Sequence, residues 1–213
     1  MLRIAIDGGA ASGKSTLSKL LATERNLLHV DTGSHYRVIT AVLFEEGILL
    51  EEAPIAHFLN NLAPHTLIEG HQSYLSVCGI TPKSYDIRSE NINHRVSQVA
   101  SIPSVRAFLL SYQRSQTTVA RNNHFAGLVM EGRDIGSIVM PDAEWSFFFH
   151  ATVEDRQRRR DAQGQADDVS KRDLQDSSRA NAPLKKASHA IAIDTGINNV
   201  EEVLKIIKLH IDS

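Results

Sequence analysis

Residues 8–16 read GGAASGKST, a run whose residue types and spacing suit one task, holding an anion. Gly8, Gly9 and Gly13 let the backbone bend until amide N–H groups converge, and Ala10, Ala11 and Ser12 keep the bend small-sided. Gly8 to Ser15 fit the pattern G-x-x-x-x-G-K-[ST], in which the lysine reaches β and γ phosphates and the hydroxyl holds Mg²⁺. Lys14 and Ser15 take those places, and Thr16 continues into a helix whose N-terminus adds its positive end.

Magnesium in such a site usually has a further carboxylate, often through water. Two acids stand where strand-like runs end: Asp31 after LLHV and Glu131 after GLVM. Glu131 is preferred, because its strand has the character of a central one. The chain also carries arginines beside glycines and aspartates, at Arg37, Arg106, Arg133, Arg172 and Arg179, with a run at Arg156, Arg158, Arg159 and Arg160. In a chain of net charge -2, such arginines read as two-pronged phosphate clamps. No N-K-x-D or suitably spaced D-x-x-G follows the loop, which argues against a GTPase. The ten histidines are scattered without ligand spacing, and Cys78 is alone, so neither a histidine-built zinc site nor an intramolecular disulfide is expected.

Elements must bring these residues together. Apolar runs at Leu2–Ile6, Leu27–Val30, Gly127–Met130, Trp145–Phe149 and Ala190–Ile193 read as strands covered on both faces. Helical spacing follows the loop at Leu17, Leu20 and Leu21, recurs at Val105, Phe108, Leu109 and Tyr112 behind Pro103, and ends the chain at Val200, Val203, Leu204, Ile207 and Ile211, with Asn198 and Glu201 as the expected cap pair. The alternation predicts an open, mostly parallel α/β sheet. With 213 residues and 42% hydrophobic content, one domain is expected: a core of about 1–61, 89–153 and 180–213, and two interruptions. Residues 62–88, with turn signals at Glu69-Gly70 and Cys78-Gly79, predict a small antiparallel insert leaning over the sheet edge. Residues 154–179 hold seven positive and seven negative side chains, with Val169 and Leu174 as the large aliphatics, too little to form a core. No leader or membrane span is expected, and the balanced charge argues against a nucleic-acid-binding face.

The segments IAIDGGAASGKST, DTGSHYR, SQVASIPSVR, EGRDIGSIVMPDA and RDLQDSSRANAPL, in this order over nearly the whole chain, resemble the bacterial cytidylate kinases. The resemblance implies a nucleoside-monophosphate-kinase fold with a five-stranded parallel sheet, a monophosphate-binding insert (62–88) and a short lid (154–179). It implies transfer of the γ-phosphoryl group of ATP to CMP or dCMP with Mg²⁺ held by Ser15 and Glu131. ATP would lie on Gly8 to Thr16 with Arg156 and Arg160. Arg37, Arg133 and Arg179 would clamp the monophosphate, Thr32, Ser97, Arg106 and Asp134 would recognise cytosine, and Arg172 and Asp176 would hold the sugar. Lys14, Arg133, Arg172 and Arg179 would be the catalytic set. The expected partners are these nucleotides alone, without nucleic acid or membrane, in a cytoplasmic monomer.

Three departures from the family stand out. Gly9 replaces a usual proline. His35 replaces an apolar residue and is expected to be partly exposed on a helix, with a pH-sensitive contact to the site as the other option. The lid arm between Arg160 and Arg172 is reduced to DAQGQADDVSK, which predicts slower turnover or more hydrolysis without acceptor. The open alternatives are a kinase for another monophosphate such as UMP, and an ATP-binding regulator of low turnover.

Overall fold

A computed structural model describes residues 1–162, 164, 169–170, 173–174 and 184–212. The expected apolar runs are strands β1 (Leu2–Gly8), β2 (Leu27–Asp31), β5 (Gly127–Gly132), β6 (Trp145–His150) and β7 (Ile191–Asp194). They lie parallel in the order β2-β5-β1-β6-β7. On β1, Ile4 and Ile6 pack with Leu17, Leu21, Val203 and Ile207, whereas Ala5 packs with Ala120, Ile135 and Val139 on the opposite face. Successive side chains point to opposite faces, so an unbroken apolar run is what a strand covered on both sides requires.

The helices supply that cover. Helix α1 (Lys14–Arg25) leaves the glycine loop from Gly13, whose φ of 89° is left-handed, and α2 (Thr32–Glu45) starts where the Asp31 carboxylate accepts the Ser34 N–H at 3.1 Å. Helices α3 (Glu52–Leu59), α4 (Glu90–Val99) and α5 (Pro103–Asn122) follow, the last with Pro103 in its first turn as expected. A π-helical turn at Ile135–Val139, α6 (Val153–Ala162) and α7 (Val200–Ile211) complete the set.

Three expectations need correction. The insert does not lean over the edge but extends the sheet to seven strands: β3 (His65–Glu69) and β4 (Gln72–Ser76) form a hairpin, and β4 lies parallel to β2 at His29 and Val30. The open edge of β2 supplies the reason, since the His29 N–H finds the His71 carbonyl at 2.7 Å and an unpaired strand edge is satisfied. The turns fall where expected, with Gly70 at φ 56° and Cys78 and Gly79 at 49° and 75°. Helix α7 is capped one residue later, by Asn199 and Glu202 in a reciprocal box, because the Asn198 amide is engaged on the Asp194 carbonyl. His35 is wholly buried rather than partly exposed; α2 is covered by neighbours on that side, with the Tyr112 ring edge-on at 5.1 Å.

Candidate active site

The five parallel strands end at one edge, and there the β1 and β5 segments bring the glycine loop against EGRD. Gly8 is required by close approach: a Cβ would stand 2.4 Å from the Phe149 carbonyl oxygen. Lys14 curls over the loop, Nζ donating to the carbonyls of Gly8 at 2.9 Å and Gly9 at 2.7 Å. Burial, and then the Arg133 charge, push its ammonium down to about 8. Incoming phosphate would reverse that shift by favouring the charged form.

Ser15 Oγ donates to Glu131 Oε2 at 2.8 Å, so the structure brings these two residues together. Among the described residues no cluster of three His, Cys, Asp or Glu side chains could hold a metal, so a metal here would take few protein ligands. Two adjacent hard oxygen donors fit magnesium, which keeps waters and phosphate oxygens in its shell.

A cavity of about 160 Å³ opens over this edge. Ala10, Ala11, Lys14, Ser15, Glu131 and Arg160 line its loop side, and Thr32, Arg37, Ser97, Arg106, Arg133 and Asp134 line the other. The Arg106 guanidinium pairs with the Asp134 carboxylate and also donates to the Ala100 carbonyl at 3.3 Å, with Tyr36 across its face. Thr32 Oγ1 donates to the Glu131 carbonyl at 2.8 Å. Arg37 is buried and ties α2 to the insert and α4, donating to the Ile87 carbonyl at 3.0 Å and to Asn93 Oδ1 at 2.6 Å. Arg133 donates to the Gly8 carbonyl at 3.1 Å.

The other side of the loop forms a second cavity of about 450 Å³, lined by Ser12, Gly13 and Thr16 with Arg159, Thr195 and Asn198. Arg156, on α6, is buried against the loop; Nη1 donates to the Ala10 carbonyl at 3.3 Å and Nη2 lies 2.6 Å from Asp173 Oδ2. A Cβ on Gly9 would meet Arg156 Nη1 at 2.6 Å, so the absence of a side chain there makes room for this ion pair. Arg172, Asp176 and Arg179 lie outside the described residues.

Sequence reasoning missed Asp7 and His29. Asp7 is buried, and its two oxygens accept the N–H groups of Ile135 at 2.7 Å and Gly136 at 2.8 Å. It thereby fixes the turn behind Arg133 and Asp134, and burial pushes its carboxyl up to about 6. The available signal was an acid ending the strand directly before the glycines. His29, on β2, touches Glu131.

The cytidylate kinase family model matches residues 4–212. The chain belongs to the cytidylate kinase family. It is 40% identical to a cytidylate kinase of Geobacillus sp. (strain WCH70), over 95% of this chain and 93% of that one. A cytidylate kinase of Fusobacterium nucleatum subsp. nucleatum is 38% identical over 98% and 96%. Among solved structures, a sugar kinase from Janibacter sp. HTCC2649 is similar in fold, with a TM-score of 0.52 at 11% identity, covering 100% of this chain and 95% of that one. Membership makes the protein an ATP-dependent phosphotransferase acting on nucleotides. Among the described residues no helix is long and apolar enough to cross a membrane.

Proposed function

We propose that the protein transfers the γ-phosphoryl group of ATP to CMP or dCMP, with magnesium as its metal. The observation that carries this reading is the Arg106–Asp134 pair on the wall of the cavity that also holds Lys14 and Ser15. A donor and an acceptor suit cytosine, whose N4 amino group donates and whose O2 and N3 accept. Uracil would turn O4 toward the Asp134 carboxylate, leaving acceptors opposed at a cost of about 1–3 kcal/mol.

The acceptor's phosphate oxygen is already a nucleophile, so the chain need supply no strong base; its task is alignment and neutralisation of charge. Amide groups of Gly9 to Thr16 receive the donor phosphates, and the 450 Å³ cavity takes the donor base. Lys14 leaves the loop carbonyls for phosphate oxygens. Ser15 and Glu131 would hold the metal, which when bound would supply positive charge to offset that of the donor phosphates. Arg133 and Arg37 face the acceptor phosphate, Thr32 and Ser97 complete the base wall, and Arg156 and Arg160 meet the transferred group from α6. Arg172, Asp176 and Arg179 complete the sugar and phosphate contacts in this reading, on the strength of the family resemblance.

Residues 62–88 act as the monophosphate-binding insert, supported by the Arg37 bond to Ile87, and 154–179 as the lid over the core. A cytoplasmic monomer is the proposed state, and the single unpaired cysteine suits a reducing compartment.

ADP release from Mg-ATP, measured with CMP, dCMP, UMP, AMP or no acceptor, tests the reading. Release that depends on CMP and dCMP is expected. Tight ATP binding with no acceptor-dependent release would instead support the regulator.

A further inference from the structure

His29 has no part in the chemistry above, yet its placement is specific. It is 3% exposed, as is Glu131, and its Nε2 lies 2.8 Å from Glu131 Oε1. The other carboxylate oxygen accepts the Ser15 hydroxyl at 2.8 Å. Both residues stand on neighbouring parallel strands: His29 is in register with Val129 and Asp31 with Glu131. His29 and Glu131 are therefore diagonal neighbours on one sheet face, within reach for long side chains. His29 also lines a cavity of about 250 Å³ shared with Ser15, Lys19 and Asp31.

A glutamate has three side-chain rotors, and its carboxylate must be aimed before it can help hold an ion. Ser15 fixes one oxygen from a loop-born helix. A rigid imidazole on β2 fixes the other from the sheet itself, as its Nε2–H donor. Partners of this kind, one bond removed from the ion, orient ligands and govern affinity.

We propose that His29 is a positioning residue: it donates Nε2–H to Glu131 Oε1 and so aims Oε2 at Ser15 and the metal beside it. This rests on the assignment of Glu131 to the metal.

The test compares His29→Leu, His29→Gln, His29→Asn, Glu131→Gln and the double variant His29→Leu/Glu131→Gln. The readouts are Mn²⁺ binding to the enzyme–ATP complex by electron paramagnetic resonance, the Mg²⁺ concentration for half-maximal ADP release, the KM for CMP and the melting temperature. His29→Leu should weaken Mn²⁺ binding and raise the Mg²⁺ requirement about tenfold, leaving the KM for CMP within about twofold. Glutamine places its amide nitrogen where Nε2 was and should restore the metal curves; asparagine places it out of reach and should behave as leucine does. If leucine prevents folding, the glutamine–asparagine contrast carries the same test. In the Glu131→Gln background His29→Leu should add less than about twofold, since coupled residues are not additive. Full multiplication of the two effects, or a metal curve shifted by Glu131→Gln and untouched by His29→Leu, overturns the positioning role. A metal curve that Glu131→Gln itself leaves unchanged overturns the assignment of Glu131, and the inference with it.

Discussion

At the β5 end of the cavity, Glu131 on a buried strand and Asp134 just after it are held by side chains on other elements: Ser15, His29 and Arg106. At the α6 end, Arg156 is held by the carbonyls of Ala10 and Ala151 and by the Asp173 carboxylate. Both ends are charged, but they are built for different tasks. In the proposed function the β5 end would read a base and hold a small ion, and its groups are already paired and aimed. The α6 end would meet a phosphate, and Arg156 rests there on oxygens that a phosphate can replace. A site of this design is rigid where it must discriminate and exchangeable where it must neutralise charge.

The largest effect should come from the residue linking the two ends. Arg133 donates to the Gly8 carbonyl and lies 3.9 Å from Asp173; Arg133→Ala should lower CMP-dependent ADP release about a thousandfold, the order of an arginine that stabilises phosphoryl transfer. ADP release followed at saturating ATP would show it, and a loss of less than tenfold would break the division between ends.

The shortened lid predicts a measurable ATP hydrolysis without acceptor, on the order of a few per cent of the transfer rate, because water is less fully excluded. Phosphate release in the absence of CMP gives the number. A value thousands of times below transfer would show that the α6 end closes as tightly as the β5 end is built.

A stability effect separates His35 from the chemistry. Both ring nitrogens lack hydrogen-bond partners among the described residues, and burial pushes the ring down to about 4 from 6.5. The unfolded chain then binds a proton that the folded one refuses between those values, so stability falls as pH drops from about 6.5 to 4. The whole loss approaches roughly 3 kcal/mol at 1.36 kcal/mol per pH unit. His35→Leu should raise the melting temperature and flatten its dependence on pH over this window. An acid slope unchanged by the substitution would mean that His35 takes up its proton alike in the folded and the unfolded chain, which contradicts a ring held neutral by burial.

The smallest effect is expected at Gly9. Gly9→Ala puts a methyl group against the far end of Arg156, a flexible group that can yield, so the KM for ATP should change by only about two- to fivefold, with the KM for CMP unchanged. Initial rates over an ATP series would show it, since equal changes in both constants would mean that the loop, and not the α6 arginine, had moved.

The sequence made the loop and the five parallel strands legible, because each depends on local pattern or on a motif with a known mechanical role. It did not show the hairpin joining β2, since unpaired strand edges can pair in several ways and the choice is made by tertiary contacts. Asn198 and Asn199 are neighbours of one type, so the cap could not be placed to the residue. Asp7, His29 and His35 escaped for a common reason: the burial of a polar side chain is set by what packs over it, and single-chain periodicity carries no record of that cover.

Reading of the acceptor base falls, in the proposed function, to Asp134 paired with Arg106. Its most direct test is the ratio of kcat/KM for CMP to that for UMP in the wild type and in Asp134→Asn. The amide can donate to uracil O4, so the variant should lose about tenfold to a hundredfold of the ratio, as expected for relief of opposed acceptors worth about 1–3 kcal/mol. A ratio unchanged by the substitution would contradict the claim and place base discrimination elsewhere in the cavity.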